Sequence, residues 1–99
     1  MKIDIQSIHF DADAKLLDYI NKKVTKLSTF HEGIKGADVY LKLQKTTEKD
    51  NKLVEIKVNV PNGPLFAEHN SISFEAATDI VVDQLKTQVK RYSEKMKEK

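Results

Sequence analysis

The segments "DVYLKLQ" (38–44) and "KLVEIKVNV" (52–60), joined by the polar run "TTEKDN" (46–51), constrain this chain more than anything else in it. Val39, Leu41 and Leu43 alternate with Tyr40, Lys42 and Gln44, and Val54, Ile56, Val58 and Val60 stand at every second position of the other segment. A period of two sends alternate side chains to opposite faces, so both segments read as strands with one apolar face. The polar run between them reads as a hairpin connection somewhat longer than the commonest two-residue turn. An apolar sheet face must be covered, and the rest of the chain supplies the cover.

Residues 2 to 6 alternate as well, with Ile3 and Ile5 on one side and Asp4 and Gln6 on the other, which predicts a short first strand. Asp11 or Asp13 can cap a helix running to about Phe30, in which Leu17, Ile20, Val24 and Leu27 recur at helical spacing. After the hairpin, Pro61 and Asn62-Gly63 carry turn chemistry, and Leu65 to Glu68 return as a fourth strand. Pro64 at its start suits an edge strand. Ser71 or Ser73 then opens a last helix whose apolar stripe is Phe74, Val81, Leu85, Val89, Tyr92 and Met96, broadened by Ala77 and Val82. The predicted fold is α+β, ordered β-α-β-β-β-α, with two helices packed on one face of a four-stranded sheet. The first strand can join by a right-handed crossover through the first helix. With 99 residues and 39% apolar content, one domain over residues 1–99 is expected.

Function classes fall away quickly. Cysteine is absent, which removes disulfides, thiolate metal sites and thiol nucleophiles and suits a reducing cytoplasm. Neither a signal-peptide apolar core at "MKIDIQSIHF" nor a membrane-length apolar run occurs, so a soluble cytoplasmic protein is expected. His9, His31 and His69 show no metal-ligand spacing, and isolated surface histidines are the simpler reading. There is no GxSxG elbow and no glycine-rich phosphate loop, and Glu48 and Asp50 fall in the polar hairpin tip, where little can tune a carboxyl group. No enzyme, cofactor, metal or small-molecule substrate is predicted.

Charge is the remaining signal. The formal net charge is only +2, yet residues 1–82 carry eleven Lys against twelve Asp or Glu, while residues 83–99 carry six cations against three acids. On a helical wheel, Lys86, Lys90 and Lys97 share one flank of the last helix's apolar stripe, and Gln84, Gln88, Arg91 and Lys95 line the other. Dipole compensation accounts for cations in the final turn, but Lys86 lies about three turns earlier than the end, where that effect has faded. The first helix is basic too, with Lys15, Lys22, Lys23 and Lys26 against Asp18. Side by side on the sheet, two such helices present one basic surface suited to phosphate and to the shape of folded RNA. An acidic protein partner held on the same helix face, or one added at a sheet edge, is the alternative.

Three segments carry a family resemblance over essentially the whole chain: "INKKVTKLSTF" (20–30), "VYLKLQK" (39–45) and "AATDIVVDQLKTQVKRYSEKMKEK" (76–99). They resemble the helix ending in Lys-Leu-x-x-Phe, the second strand and the basic last helix of the ribosome hibernation promoting factors, also called ribosome-associated translation inhibitors. The resemblance, to the short form, implies a β-α-β-β-β-α domain that binds the small ribosomal subunit and its rRNA in the mRNA and tRNA channel. There it inhibits translation by occupancy and stabilises idle ribosomes. Off the ribosome a monomer is expected. It also implies RNA contacts from Lys22, Lys23 and Lys26 in the first helix and from Lys86, Gln88, Lys90, Arg91 and Lys95 in the second. Ribosome dimer formation is a further activity that the resemblance leaves open.

Overall fold

The computed structural model describes residues 1–45 and 49–97. Strand β1 (Lys2–Ile8) leads into helix α1 (Ala14–Thr25) and a 3₁₀ turn (Lys26–Thr29), followed by β2 (Gly36–Leu43), β3 (Lys52–Asn59), β4 (Leu65–Ser71) and α2 (Phe74–Lys97). The sheet order is β1-β2-β3-β4, with β1 parallel to β2 and the other pairs antiparallel. A parallel neighbour needs a crossover, and α1 supplies it. The predicted α+β architecture is the one observed.

Local chemistry explains the element ends. Asp13 caps α1 by accepting a hydrogen bond from the Leu16 N–H at 2.8 Å, and the Ser73 hydroxyl accepts from the Ala76 N–H at 3.0 Å at the start of α2. The first helix is shorter than expected, stopping at Thr25 rather than near Phe30. Hydroxyls of Thr25, Ser28 and Thr29 donate to the carbonyls of Asn21, Thr25 and Lys26 at 2.6 to 2.8 Å, and the chain tightens into 3₁₀ geometry there. Between β2 and β3, the Gln44 N–H donates to the Asn51 carbonyl at 2.8 Å. The expected hairpin tip lies partly outside the described residues, as do the last two positions of the chain. In the next turn the positive φ falls on Asn62, at 65°, rather than on Gly63. Strand β4 runs three residues further than predicted and is an edge strand, as Pro64 suggested.

One cluster forms the core. Val39 and Leu41 of β2, Val54, Ile56 and Val58 of β3, Ile20 and Val24 of α1, and Val81, Leu85 and Val89 of α2 are all fully buried. Leu16, not Leu17, joins Ile20, Val24 and Leu27 against this core, because steps of four, four and three keep one line along the helix. The stripe of α2 ends at Tyr92, so Met96 lies beyond the core. Thr78, at 0% exposure, is satisfied by donating to the Phe74 carbonyl at 2.7 Å.

Both helices cover the same sheet face, and the other face is open. There Lys42 pairs with Glu55 at 2.8 Å and Lys57 with Asp38 at 3.7 Å, which largely cancels the charge. Truncating the fully buried Ile56 to Ala removes core contacts and leaves a cavity. Urea denaturation of I56A should show a loss of about 2–5 kcal/mol. Ile72→Ala, at a residue 64% exposed, should stay within about 0.5 kcal/mol of the parent.

Candidate nucleic-acid interface

Helices α1 and α2 meet through a polar latch at the edge of the core. The Tyr19 hydroxyl donates to Asp79 Oδ1 at 2.6 Å, and Lys23 Nζ stands 3.5 Å from the same oxygen. Lys23 Nζ also lies 5.5 Å from the Tyr19 ring centroid, within cation–π range. The hydrogen bond to Asp79 pushes the Tyr19 phenol up to about 12, helped by burial and by the charges of Asp79 and Glu75.

One turn further on, the 3₁₀ segment delivers Phe30 to the neighbouring helix. Lys86 Nζ and Lys90 Nζ lie 5.3 and 5.2 Å from the Phe30 ring centroid. The ring thus holds two ammonium groups of α2 beside Lys23 and Lys26. A cleft of about 230 Å³ opens between the helices, with Val82 and Phe30 as its accessible apolar surface above the buried Leu27, and lined by Lys23, Lys26, Lys86 and the carboxylates of Asp79 and Asp83. With Lys90 at the ring, four ammonium groups face two carboxylates, so this flank is net positive.

The second flank of α2 looks the other way, over β4. Arg91 and Lys95 line a shallow recess with Leu65, Gln88 and Tyr92. Gln88 Nε2 donates to the Phe66 carbonyl at 2.9 Å, so this side chain binds the strand backbone. Tyr92 is anchored by its hydroxyl to the Pro61 carbonyl and packs edge-on against His31.

The eight expected contact residues therefore fall into distinct groups. Lys23, Lys26, Lys86 and Lys90 converge on the interhelical cleft, and Arg91 and Lys95 stand together on the β4 flank. Lys22 is directed elsewhere, pairing with Asp18 at 3.0 Å on the outer surface of α1. Gln88 has a structural partner. Reading the sequence missed Tyr19, Phe30, Asp79 and Asp83 as parts of the site. Phe30 had a signal, since it ends the Lys-Leu-x-x-Phe pattern. The contact of Tyr19 with Asp79, sixty positions apart, left no local trace.

Among the described residues, no group of three or more His, Asp or Glu is placed to hold a metal ion, and no helix is long and apolar enough to cross a membrane.

The latch has a titration signature. Below pH 10 the Tyr19 phenol is protonated whether the chain is folded or not, and between 10 and about 12 only the folded state retains the proton. Its stabilising contribution is therefore present below 10 and is lost as the pH rises through about 12. In a tyrosinate absorbance titration the Tyr19 phenol should ionise toward 12, and Asp79→Asn should return it toward 10. Identical curves for parent and variant would contradict the hydrogen bond.

Comparison with known proteins gives a consistent result. A ribosome hibernation promoting factor of Pseudomonas putida is 27% identical over 95 residues, covering 96% of this chain and 89% of the relative. Another, of Klebsiella oxytoca, is 24% identical over 98 residues and covers 99% of both chains. Among solved structures, the Thermus thermophilus Protein Y N-terminal domain matches with a TM-score of 0.80 and 31% identity, covering 93% of this chain and 99% of that one. A ribosomal subunit interface protein from Coxiella burnetii shares the fold, with a TM-score of 0.82 at 20% identity over 94% of this chain and 98% of that one. The profile of the family described as Sigma 54 modulation protein / S30EA ribosomal protein matches residues 3–97. This chain belongs to that family, whose members are non-enzymatic ribosome-binding proteins.

Proposed function

We propose that this chain is a ribosome hibernation factor, a single cytoplasmic domain that binds the small ribosomal subunit where mRNA and tRNA would sit. It acts by occupancy: bound rRNA phosphates hold it in the channel, translation is blocked, and the idle ribosome is stabilised. Off the ribosome it is a monomer. The names of the relatives support the ribosomal setting.

The observation that carries the reading is the contrast between the two faces. On the helical face, Lys86 and Lys90 rest on an aromatic ring and keep their full charge beside Lys23 and Lys26. On the open sheet face, Lys42 and Lys57 are neutralised by carboxylates. A polyanion is therefore attracted to one side of the molecule and oriented by it. RNA contacts are assigned to Lys23, Lys26, Lys86, Lys90, Arg91 and Lys95, with Lys22 exchanging Asp18 for phosphate. Gln88 contributes by holding α2 against β4.

Changing Lys86, Lys90 and Arg91 together to Glu should abolish co-sedimentation with ribosomes while leaving the circular dichroism spectrum unchanged. Each lost phosphate contact should also remove about 0.7–0.9 from the slope of log affinity against log salt. Retained binding with a parent-like slope would overturn the proposal. Sedimentation of ribosomes with the parent protein also separates dimer formation from silencing of single ribosomes.

A further inference from the structure

Two carboxylates lining a cationic cleft need a reason. A site for phosphate alone gains nothing from them, because like charges at contact distance repel the ligand, more strongly near a protein surface than in bulk water. Helix-dipole compensation does not supply the reason, since that effect is confined to the first turn and Asp83 is the tenth residue of α2. Glu75 already occupies the first turn. Nor is Asp83 held by its helix neighbour: Lys86 stands three residues on, but its ammonium group is turned to the Phe30 ring. Among the described residues Asp83 makes no ion pair, whereas one oxygen of Asp79 is engaged by Tyr19 and Lys23.

The cleft thus combines an apolar floor, a cationic rim and an exposed carboxylate that lacks a partner. Its volume, about 230 Å³, falls below the roughly 300–1,000 Å³ of pockets that enclose whole drug-sized ligands. It suits one flat ring system, with the attached phosphates outside at Lys26, Lys86 and Lys90. Unstacked bases of single-stranded RNA segments present their edges to proteins in this way.

A carboxylate accepts hydrogen bonds and donates none. Guanine places two N–H donors, N1 and N2, side by side on one edge and can bind a carboxylate through both at once. Adenine and cytosine each offer one amino group beside an acceptor, and uracil offers one N–H between two carbonyls that repel the carboxylate. We propose that the cleft between α1 and α2 receives an unstacked guanine of the bound RNA, with its N1 and N2 donors on Asp83 and its ring against Val82 and Phe30. This rests on the RNA-binding reading above and adds a base preference to contacts that otherwise sense only phosphate and shape.

The test uses oligouridine RNAs carrying one central guanine, inosine, adenine or cytosine, or none, with binding followed by fluorescence anisotropy. The guanine RNA should bind about tenfold or more tightly than the adenine, cytosine and all-uridine forms, the gain expected of a bidentate contact. Inosine, which lacks the N2 amino group, should fall between. Asp83→Asn removes a negative charge, so it should strengthen binding to the all-uridine RNA while erasing most of the guanine preference. If Asp83 is only a surface acid, the variant instead raises affinity for every RNA equally and leaves their ratios unchanged, which overturns the inference. Equal binding of all five RNAs by the parent overturns it too. Co-sedimentation of the parent with ribosomes, run in parallel, reports separately on the proposed function, so a failure of base preference is not confused with a failure of ribosome binding.

Discussion

Val81, Leu85 and Val89 of α2 are fully buried in one cluster with Val54, Ile56 and Val58 of β3, and that contact sets the rotation of the helix about its own axis. Once these side chains point into the sheet, every other position is placed, because successive residues advance by about 100° around a helix. Lys86, Lys90, Asp79 and Asp83 are carried toward α1, and Gln88, Arg91 and Lys95 toward β4. The site therefore inherits its geometry from the core.

The same contact explains which parts were legible in the sequence. Alternation in β2 and β3 and helical periodicity in α2 each record burial locally, so element order, the single covered face and the two flanks of α2 could be read directly. What each flank meets could not. Gln88 has the spacing of a contact residue, yet its partner is a backbone carbonyl of β4, 22 residues away in sequence. Lys22 and Lys23 are adjacent and chemically identical, but one faces Asp18 on its own helix and the other Asp79 across the interface. Leu16 and Leu17 are equally apolar, and only a choice of helix phase separates them. Such distinctions arise from tertiary neighbours, which single-sequence periodicity does not encode.

Phe30 matters for a related reason. A helix continuing straight through residues 26–30 would have placed this ring by helical phase alone, whereas the 3₁₀ turn brings it under Lys86 and Lys90. Hydroxyl groups of Thr25, Ser28 and Thr29, polar residues of no evident function in the sequence, accompany that change of path. A local hydrogen-bond preference at the end of α1 and in the turn after it thereby contributes to the electrostatics of α2.

How the cations are held decides what they can do next. A carboxylate that positions a lysine also cancels its charge, as Glu55 does for Lys42. An aromatic ring positions an ammonium group through its quadrupole and leaves the charge intact. Ordering a long side chain on binding costs about 0.5–1.5 kcal/mol, so lysines already resting on Phe30 meet a phosphate with part of that cost removed. The helical face is in this sense preorganised without being neutralised. Asp79 pairs with Lys23, while Lys86 and Lys90 stand on the Phe30 ring and, among the described residues, pair with no carboxylate. The difference between ring and carboxylate, more than the number of lysines, is what separates the attractive face of this molecule from its indifferent one.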